Sequence, residues 1–144
     1  MDERIEKEVR ILVERSREVI ACSVDGDGFP NAKGMFIRRR EGIREFWMST
    51  NAPAIRTAQW AQNPRACLYF MDAKNFYGLM LTGTMQVYMD AQTKKEHWQE
   101  GDERYYPMGA DDPDYCILRF TAQRGNYYHG AHKQLFDVEI VDEA

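Results

Sequence analysis

The stretch PNAKGMFIRRREGIREFWMSTNAPAIR, residues 30–56, carries the clearest structural pattern in the chain. It predicts a strand over residues 30–39 and a second strand over 44–49, because both segments are rich in residues that favour strands. The intervening Arg40-Glu41-Gly42 supplies the flexible residue that a short reversal needs. We therefore expect an antiparallel hairpin here.

A short helix is expected directly after this hairpin, over about residues 54–62. Asn51 is its expected N-cap, and Pro53 suits the first turn because the missing N–H of proline costs nothing there. Free amides and the positive end of the helix dipole make such a junction a natural anion site. The polar side chains that this corner could gather are Lys33, Arg38, Ser49, Thr50 and Arg56. The corner therefore predicts a phosphate site.

The composition predicts a single folded domain over residues 1–144, with an apolar content of 44%. The net charge of −4 argues against nucleic acid as the main partner. The basic run Arg38-Arg39-Arg40 does not change this, because neighbouring strand residues point to opposite faces. The N-terminal sequence MDERIEKEVR is too charged for a signal peptide, and no segment has the apolar length of a membrane span. We expect a cytoplasmic protein without a membrane partner.

The remaining pattern is mainly strands linked by turns, without regular β-α alternation. The other expected strands cover 19–24, 66–71, 77–89, 115–121, 125–129 and 135–141, and the other expected helices cover 2–17 and 91–99. The apolar run at 66–71 is typical of a central strand buried on both faces, and Gly83 predicts a bulge. The fold class is therefore mainly β (α+β), a small antiparallel barrel of six or seven strands with helices at its ends.

Metal ligands and nucleophiles are sparse. Cys22, Cys67 and Cys116 are odd in number and widely spaced, which favours buried free thiols, with a metal or disulfide role as the alternative. His129 and His132 lie three residues apart without a third ligand at suitable spacing, so we expect no metal site. The glycine and nucleophile motifs of hydrolases, kinases and dinucleotide-binding proteins are absent.

Five segments occur in an order that resembles a known family. They are PNAKGMFI, a strand ending in STN with a basic residue six after the Thr, NPRACLYF, LTGTMQVYMD and PDYCILRFTAQRGNYY. This order is similar to the FMN-binding split barrels related to pyridoxamine 5'-phosphate oxidase, and most of all to short members like general stress protein 26. The resemblance implies a six- to seven-stranded antiparallel split β-barrel with flanking helices.

The resemblance also implies FMN as cofactor and a homodimer with the flavin at the subunit interface. By position, Lys33, Thr50 and Arg56 match phosphate ligands, and Ser49 matches a residue that reaches the cofactor. The residues that match backbone contacts to the ribityl chain or ring edge are Gly34, Met35 and Phe36. Tyr127 and Tyr128 are the candidates to border the ring from the partner chain.

The function implied is an FMN-dependent oxidoreductase that passes electrons from a reduced nicotinamide to a small acceptor, with no catalytic residue assigned. The chain has Ala54-Ile55-Arg56 where the family often has Ser-Arg-Lys or Ser-x-Lys. Residues 126–132 read NYYHGAH and lack the Arg-x-His with which true pyridoxamine phosphate oxidases hold their substrate, so we do not expect vitamin B6 oxidation. The alternatives are a non-catalytic flavin-binding or stress-response module, or a barrel that binds haem through His129 or His132, a deazaflavin or pyridoxal phosphate.

Overall fold

Strands dominate residues 1–142, the part of the chain that the computed structural model describes. The strands are β1 Glu18–Val24, β2 Pro30–Phe36, β3 Arg39–Glu41, β4 Glu45–Asn51, β5 Arg65–Asp72, β6 Tyr77–Tyr88, β7 Tyr115–His129 and β8 His132–Asp137. The helices are α1 Glu3–Arg15, α2 Ile55–Gln62, α3 Ala91–Glu96 and α4 Val138–Asp142, with short 3-10 turns at Asp102–Arg104 and Gly109–Asp111. Within this range, no helix has the length and apolar character needed to cross a membrane.

The sheet is antiparallel throughout and has the strand order β2-β1-β5-β6-β7-β4-β3. Strand β8 pairs with the C-terminal part of β7, residues 124–129. Its two end strands, β2 and β3, are consecutive in the chain and are joined only by Ile37 and Arg38. The Ile37 N–H donates to Arg17 O at 2.9 Å, and the Arg38 N–H donates to Trp47 O at 2.8 Å. The chain itself therefore closes the barrel. The predicted antiparallel split barrel with flanking helices is confirmed.

The barrel interior is filled by alternate residues of each strand. The fully buried side chains of this core include Phe46, Met48, Leu68, Phe70, Leu81 and Phe120. Helix α1 covers the core with its predicted apolar face, since Val9 and Val13 are fully buried. The Asp2 carboxylate caps this helix by accepting from Arg4 N at 2.7 Å.

Four strand predictions were wrong in detail. The predicted strand 30–39 is interrupted where the chain passes from β2 to β3, because barrel closure changes its hydrogen-bonding partner. Segment 66–71 is not buried on both faces, since its residues alternate between buried and partly exposed. Segments 115–121 and 125–129 belong to one continuous strand, β7. The predicted strand 135–141 ends at Asp137 and continues as helix α4.

The predicted helix cap at Asn51 was also wrong. Asn51 is the last residue of β4, where it pairs with Tyr115, and α2 begins later with Ala54 at its N-cap position. The Asn51 carbonyl instead accepts from Ala54 N at 3.1 Å and from the Thr57 hydroxyl at 3.0 Å. Within residues 1–142 no side chain caps α2, so its first turn is open to an external acceptor.

The predicted bulge lies in β6, where the pairing with β7 shifts register between Thr82 and Gly83. A Cβ atom added at Gly83 would lie 1.9 Å from the backbone oxygen of Thr121. The two strands therefore approach more closely here than any side chain allows.

We expect Gly83→Ala to lower the free energy of unfolding by about 3 kcal/mol or more, because two backbone segments must separate to admit the methyl group. Urea unfolding followed by circular dichroism measures this change. Gly26→Ala is the matched control, since nothing lies within 4 Å of its added Cβ, and it should change stability by less than about 1 kcal/mol. Equal effects of the two substitutions would contradict the close approach at Gly83.

Candidate functional site

A pocket of about 380 Å³ lies between β2, the end of β4, the first turn of α2 and the loop that follows α3. Its lining residues include seven of the nine predicted cofactor ligands, namely Lys33, Gly34, Met35, Phe36, Ser49, Thr50 and Arg56. The other lining residues are Arg38, Asn51, Asp102, Tyr105 and Tyr106. Strand β2 and the C-terminal end of β4 thus meet at the corner that the sequence singled out.

Two cations in this pocket lack a carboxylate partner within residues 1–142, Lys33 and Arg56. Arg56 donates from Nη2 to the hydroxyl of the buried Thr50. Its Nε is buried and has no hydrogen-bond partner in the described part of the chain. A buried N–H left without an acceptor costs about 1–3 kcal/mol. An anion in the pocket would satisfy this donor, so the site favours an anionic ligand.

A smaller cavity of about 180 Å³ adjoins the pocket and shares Lys33 and Arg56 with it. Ile55 and Gln59 of α2 also line it. The uncapped first turn of α2 therefore lies beside both cations. Backbone amides at a helix N-terminus together with two cations are the groups that bind a phosphate.

Arg38, one of the side chains expected at this corner, is largely buried. Its side chain is 10% exposed and forms a bidentate ion pair with Asp102. Nη1 lies 2.9 Å from one carboxylate oxygen and Nη2 lies 2.5 Å from the other. It also donates to Ser49 Oγ at 3.1 Å and to His97 O at 2.8 Å. Arg38 thus ties the loop after α3 to β4, and only its buried Nε lacks a partner among residues 1–142.

The Asp102 carboxylate is ionised because of this contact. Burial by itself raises the pKa of Asp102, but hydrogen bonds from Arg38 and from the Gln99 N–H, together with the charge of Arg38, lower it below its ordinary value. The Asp102 carboxylate also accepts from Gln99 N at 2.8 Å, which holds the start of the loop. The ion pair therefore neutralises Asp102 and leaves the pocket positive.

Two tyrosines of the loop after α3 form a pocket wall that the sequence did not predict. Tyr106 is buried, and burial is the main cause of its raised pKa. Tyr105 lines the pocket and is 72% exposed. Tyr106, Tyr115 and Ile117 form a second small core outside the barrel, against which Trp47 and Trp98 pack. The density of aromatic residues around 98–115 was the only sequence signal for this wall.

Tyr127 and Tyr128, the remaining predicted ligands, do not line the pocket within one chain. Tyr127 is buried, and its hydroxyl donates to Glu8 Oε2 at 3.1 Å. Tyr128, near the C-terminal end of β7, is 37% exposed. Their contact with a cofactor from a partner chain stays a prediction.

His129 and His132 face each other across the β7–β8 hairpin, with ring centroids 5.9 Å apart, and also lie outside the pocket. Among the described residues, no three His, Cys, Asp or Glu side chains form a group that could hold a metal ion.

A family model described as "Pyridoxamine 5'-phosphate oxidase like" matches residues 5–142. The chain belongs to the pyridoxamine 5'-phosphate oxidase-like family. It is 39% identical to a Clostridium acetobutylicum protein related to general stress protein 26 of B. subtilis, a member of the pyridoxinephosphate oxidase family. That crystal structure superposes with a TM-score of 0.88, over 98% of this chain and 99% of the other. The family resemblance drawn from the sequence is thus confirmed.

More distant members of this fold differ in what they bind. A pyridoxamine 5'-phosphate oxidase-related, FMN-binding protein from Nostoc punctiforme is 13% identical, with a TM-score of 0.61 over 92% of this chain and 86% of its own. A heme-binding protein from Mycobacterium smegmatis is 15% identical, with a TM-score of 0.75 over 96% of this chain and 60% of its own. At these identities the likeness shows the fold alone. A search of curated proteins found no match.

We expect Asp102→Asn to lower the free energy of unfolding by about 2–4 kcal/mol at pH 7, because it leaves the buried Arg38 charge unpaired. The folded-state pKa of Asp102 is depressed, so the stability from ionised Asp102 is present above about pH 4 and lost as the pH falls through the folded-state pKa. The difference between wild type and variant should therefore shrink below pH 4. Urea unfolding across pH 3 to 7 measures it.

Glu41→Gln is the control for that experiment, since it removes one partner of the exposed Arg39–Glu41 pair. It should change stability by less than about 1 kcal/mol at every pH. A difference between wild type and Asp102→Asn that stayed constant down to pH 3 would contradict the role of the ionised carboxylate.

Proposed function

We propose that this protein binds FMN in the pocket between β2, β4 and α2, and acts as a flavoprotein oxidoreductase. The observation that carries the proposal is the buried Nε of Arg56, which has no acceptor within residues 1–142 and lies beside Lys33 and the uncapped start of α2. This set of donors suits a phosphate dianion better than any neutral group. The family also contains a relative described as FMN-binding.

The residues present fit the rest of the cofactor as well. The backbone of Gly34, Met35 and Phe36 forms one wall of the pocket, where amides can meet a ribityl chain or a pyrimidine edge. Tyr105 and Tyr106, from the loop after α3, also line the pocket, and the exposed ring of Tyr105 can contact the cofactor. The Thr50 hydroxyl accepts from Arg56 and so holds the guanidinium that would bind the phosphate.

The chemistry that FMN supplies when bound is electron transfer from a reduced nicotinamide to a small acceptor. The part that this chain plays is to anchor the phosphate with Lys33 and Arg56 and to exclude water with the buried wall at Tyr106. Oxidation of vitamin B6 is not part of the proposal, because residues 126–132 lack the Arg-x-His arrangement.

We further propose that a second copy of the chain completes this site. An apolar groove of about 460 Å³ lies on the outer face of β2, β1 and β5. Gly34, Met35 and Phe36 line both this groove and the cofactor pocket, so a subunit seated in the groove reaches the pocket. Phe36 is 69% exposed in one chain, and Ile20 and Met71 beside it are also exposed. Burying these side chains drives dimer formation.

The double variant Lys33→Ala/Arg56→Ala should lose FMN, because both unpaired cations at the phosphate position are removed. Two lost charge-assisted contacts weaken binding by roughly a hundredfold or more. Titration of apo-protein with FMN, followed by flavin fluorescence, measures this loss. Arg4→Ala/Lys74→Ala carries the same charge change at exposed positions away from the pocket and should bind FMN like wild type. Unchanged affinity in the first variant would refute the site.

The visible spectrum of the purified protein separates the proposed function from its alternatives. A flavin spectrum that NADH or NADPH bleaches supports the oxidoreductase. A flavin spectrum that neither reductant changes would replace it with a flavin-binding module without turnover. A sharp porphyrin band would replace it with haem binding, and then His129→Ala and His132→Ala are the variants to compare.

The substitution Phe36→Glu should convert a dimer into monomers, because it places a charge on the exposed apolar face. Mass determination by light scattering measures the state, and FMN titration of the same samples should show weaker binding. Leu135→Glu is the matched control, because Leu135 is similarly exposed but lies on β8, away from the groove. A monomeric wild type, or a variant that stays dimeric, would reject the proposed dimer.

A further inference from the structure

Two of the three cysteines lie opposite each other on neighbouring strands, although they are far apart in the sequence. Cys22 of β1 pairs directly with Cys67 of β5. Both side chains point out of the barrel and are partly exposed. Directly opposed residues of antiparallel strands have Cα atoms roughly 4.5–5.5 Å apart, which is within the Cα range that a disulfide spans, so the two sulfurs can join with little movement of the backbone.

The thiol pair opens into a groove of about 470 Å³ that shares no lining residue with the proposed dimer groove. Two arginines, Arg65 and Arg124, line this groove beside the thiols. Both are exposed, and Arg124 has only a loose contact with Asp137, at 4.0 Å. The entrance to the thiols is therefore positively charged, which favours an anionic reaction partner.

We propose that Cys22 and Cys67 form a two-thiol redox site that exchanges with a small anionic disulfide, for example oxidised glutathione, and closes into a cross-strand disulfide. In the first step, one cysteine sulfur forms a bond to a glutathione sulfur, the glutathione disulfide breaks, and one glutathione thiol leaves. In the second step, the other cysteine displaces the second glutathione. The protein loses two electrons and two protons, and both are taken up by the two released thiols.

The two cysteines have different roles in this exchange. Burial is the main cause of the raised pKa of both thiols, and it raises that of Cys67 to about 12. Cys67 is the more deeply buried of the two thiols, so burial raises the pKa of Cys22 less than that of Cys67. Cys22 therefore forms the thiolate more readily and makes the first attack, and Cys67 resolves the mixed disulfide. Because a thiol that is not stabilised as thiolate leaves poorly, the disulfide should resist reduction once formed.

The test uses the reduced full-length protein with oxidised glutathione at pH 8, followed by alkylation of free thiols and peptide mass spectrometry. We expect a peptide pair linked through Cys22 and Cys67, with Cys116 alkylated only after unfolding because it is buried. Cys116→Ala should form the same link. Cys67→Ser should stop at a glutathione adduct on Cys22. Cys22→Ser should react with oxidised glutathione at least about tenfold more slowly than wild type.

The charge argument has its own control. Arg65→Ala/Arg124→Ala should slow the reaction with oxidised glutathione but not with the uncharged disulfide of 2-mercaptoethanol. The inference is overturned if wild-type protein forms no Cys22–Cys67 link, if the link joins two chains, or if Cys116 takes part. Loss of FMN binding in the variants of the phosphate site leaves this result unaffected, since no residue of the thiol groove lines the pocket.

Discussion

Arg38 is the residue on which both the barrel and its pocket depend. Its backbone N–H bonds to Trp47 at the point where β2 passes into β3, which closes the sheet through the chain itself. Its side chain, a few ångströms away, holds Asp102 and the His97 carbonyl and so fixes the loop that walls the pocket. A planar guanidinium has five N–H donors and can bind a carboxylate through two of them while others reach further acceptors, whereas a lysine ammonium carries three donors on one atom and lacks this bidentate geometry. Closure of the fold and formation of the site therefore depend on the same residue, the first through its backbone and the second through its side chain.

The charge of the pocket contrasts with that of the whole chain. The protein has a net charge of −4, yet the pocket contains three cations and one carboxylate, and that carboxylate is bound to Arg38. The remaining positive charge is concentrated where β2 meets the start of α2. A local positive field in an acidic protein attracts small anions, and this field falls off within about 10 Å at moderate salt.

The sequence was sufficient to predict the parts of the structure that depend on local patterns. Lys33, Thr50 and Arg56 belong to strand ends and turns with recognisable chemistry, and they do meet in one pocket. Asp102 and Tyr106 could not be predicted, because a contact between residues 64 positions apart places their loop. The Cys22–Cys67 pair was missed for a related reason: strand register across a barrel is decided by closure, which no local pattern encodes. The wrong cap at Asn51 has the same origin, since pairing with Tyr115 extends β4 by two residues beyond the predicted end at Ser49.

Two of the tryptophans lie where their fluorescence can report movements of the pocket walls. Trp47 stacks on His97 with ring centroids 4.2 Å apart, at the base of the loop that walls the pocket. Trp60 lies on α2, the helix that carries Arg56, and its Nε1 donates to the Cys22 carbonyl at 3.3 Å. Intrinsic emission from these indoles therefore responds to loop displacement on one side and to movement of α2 against β1 on the other. Motions of the two walls can thus be followed in solution without an added dye.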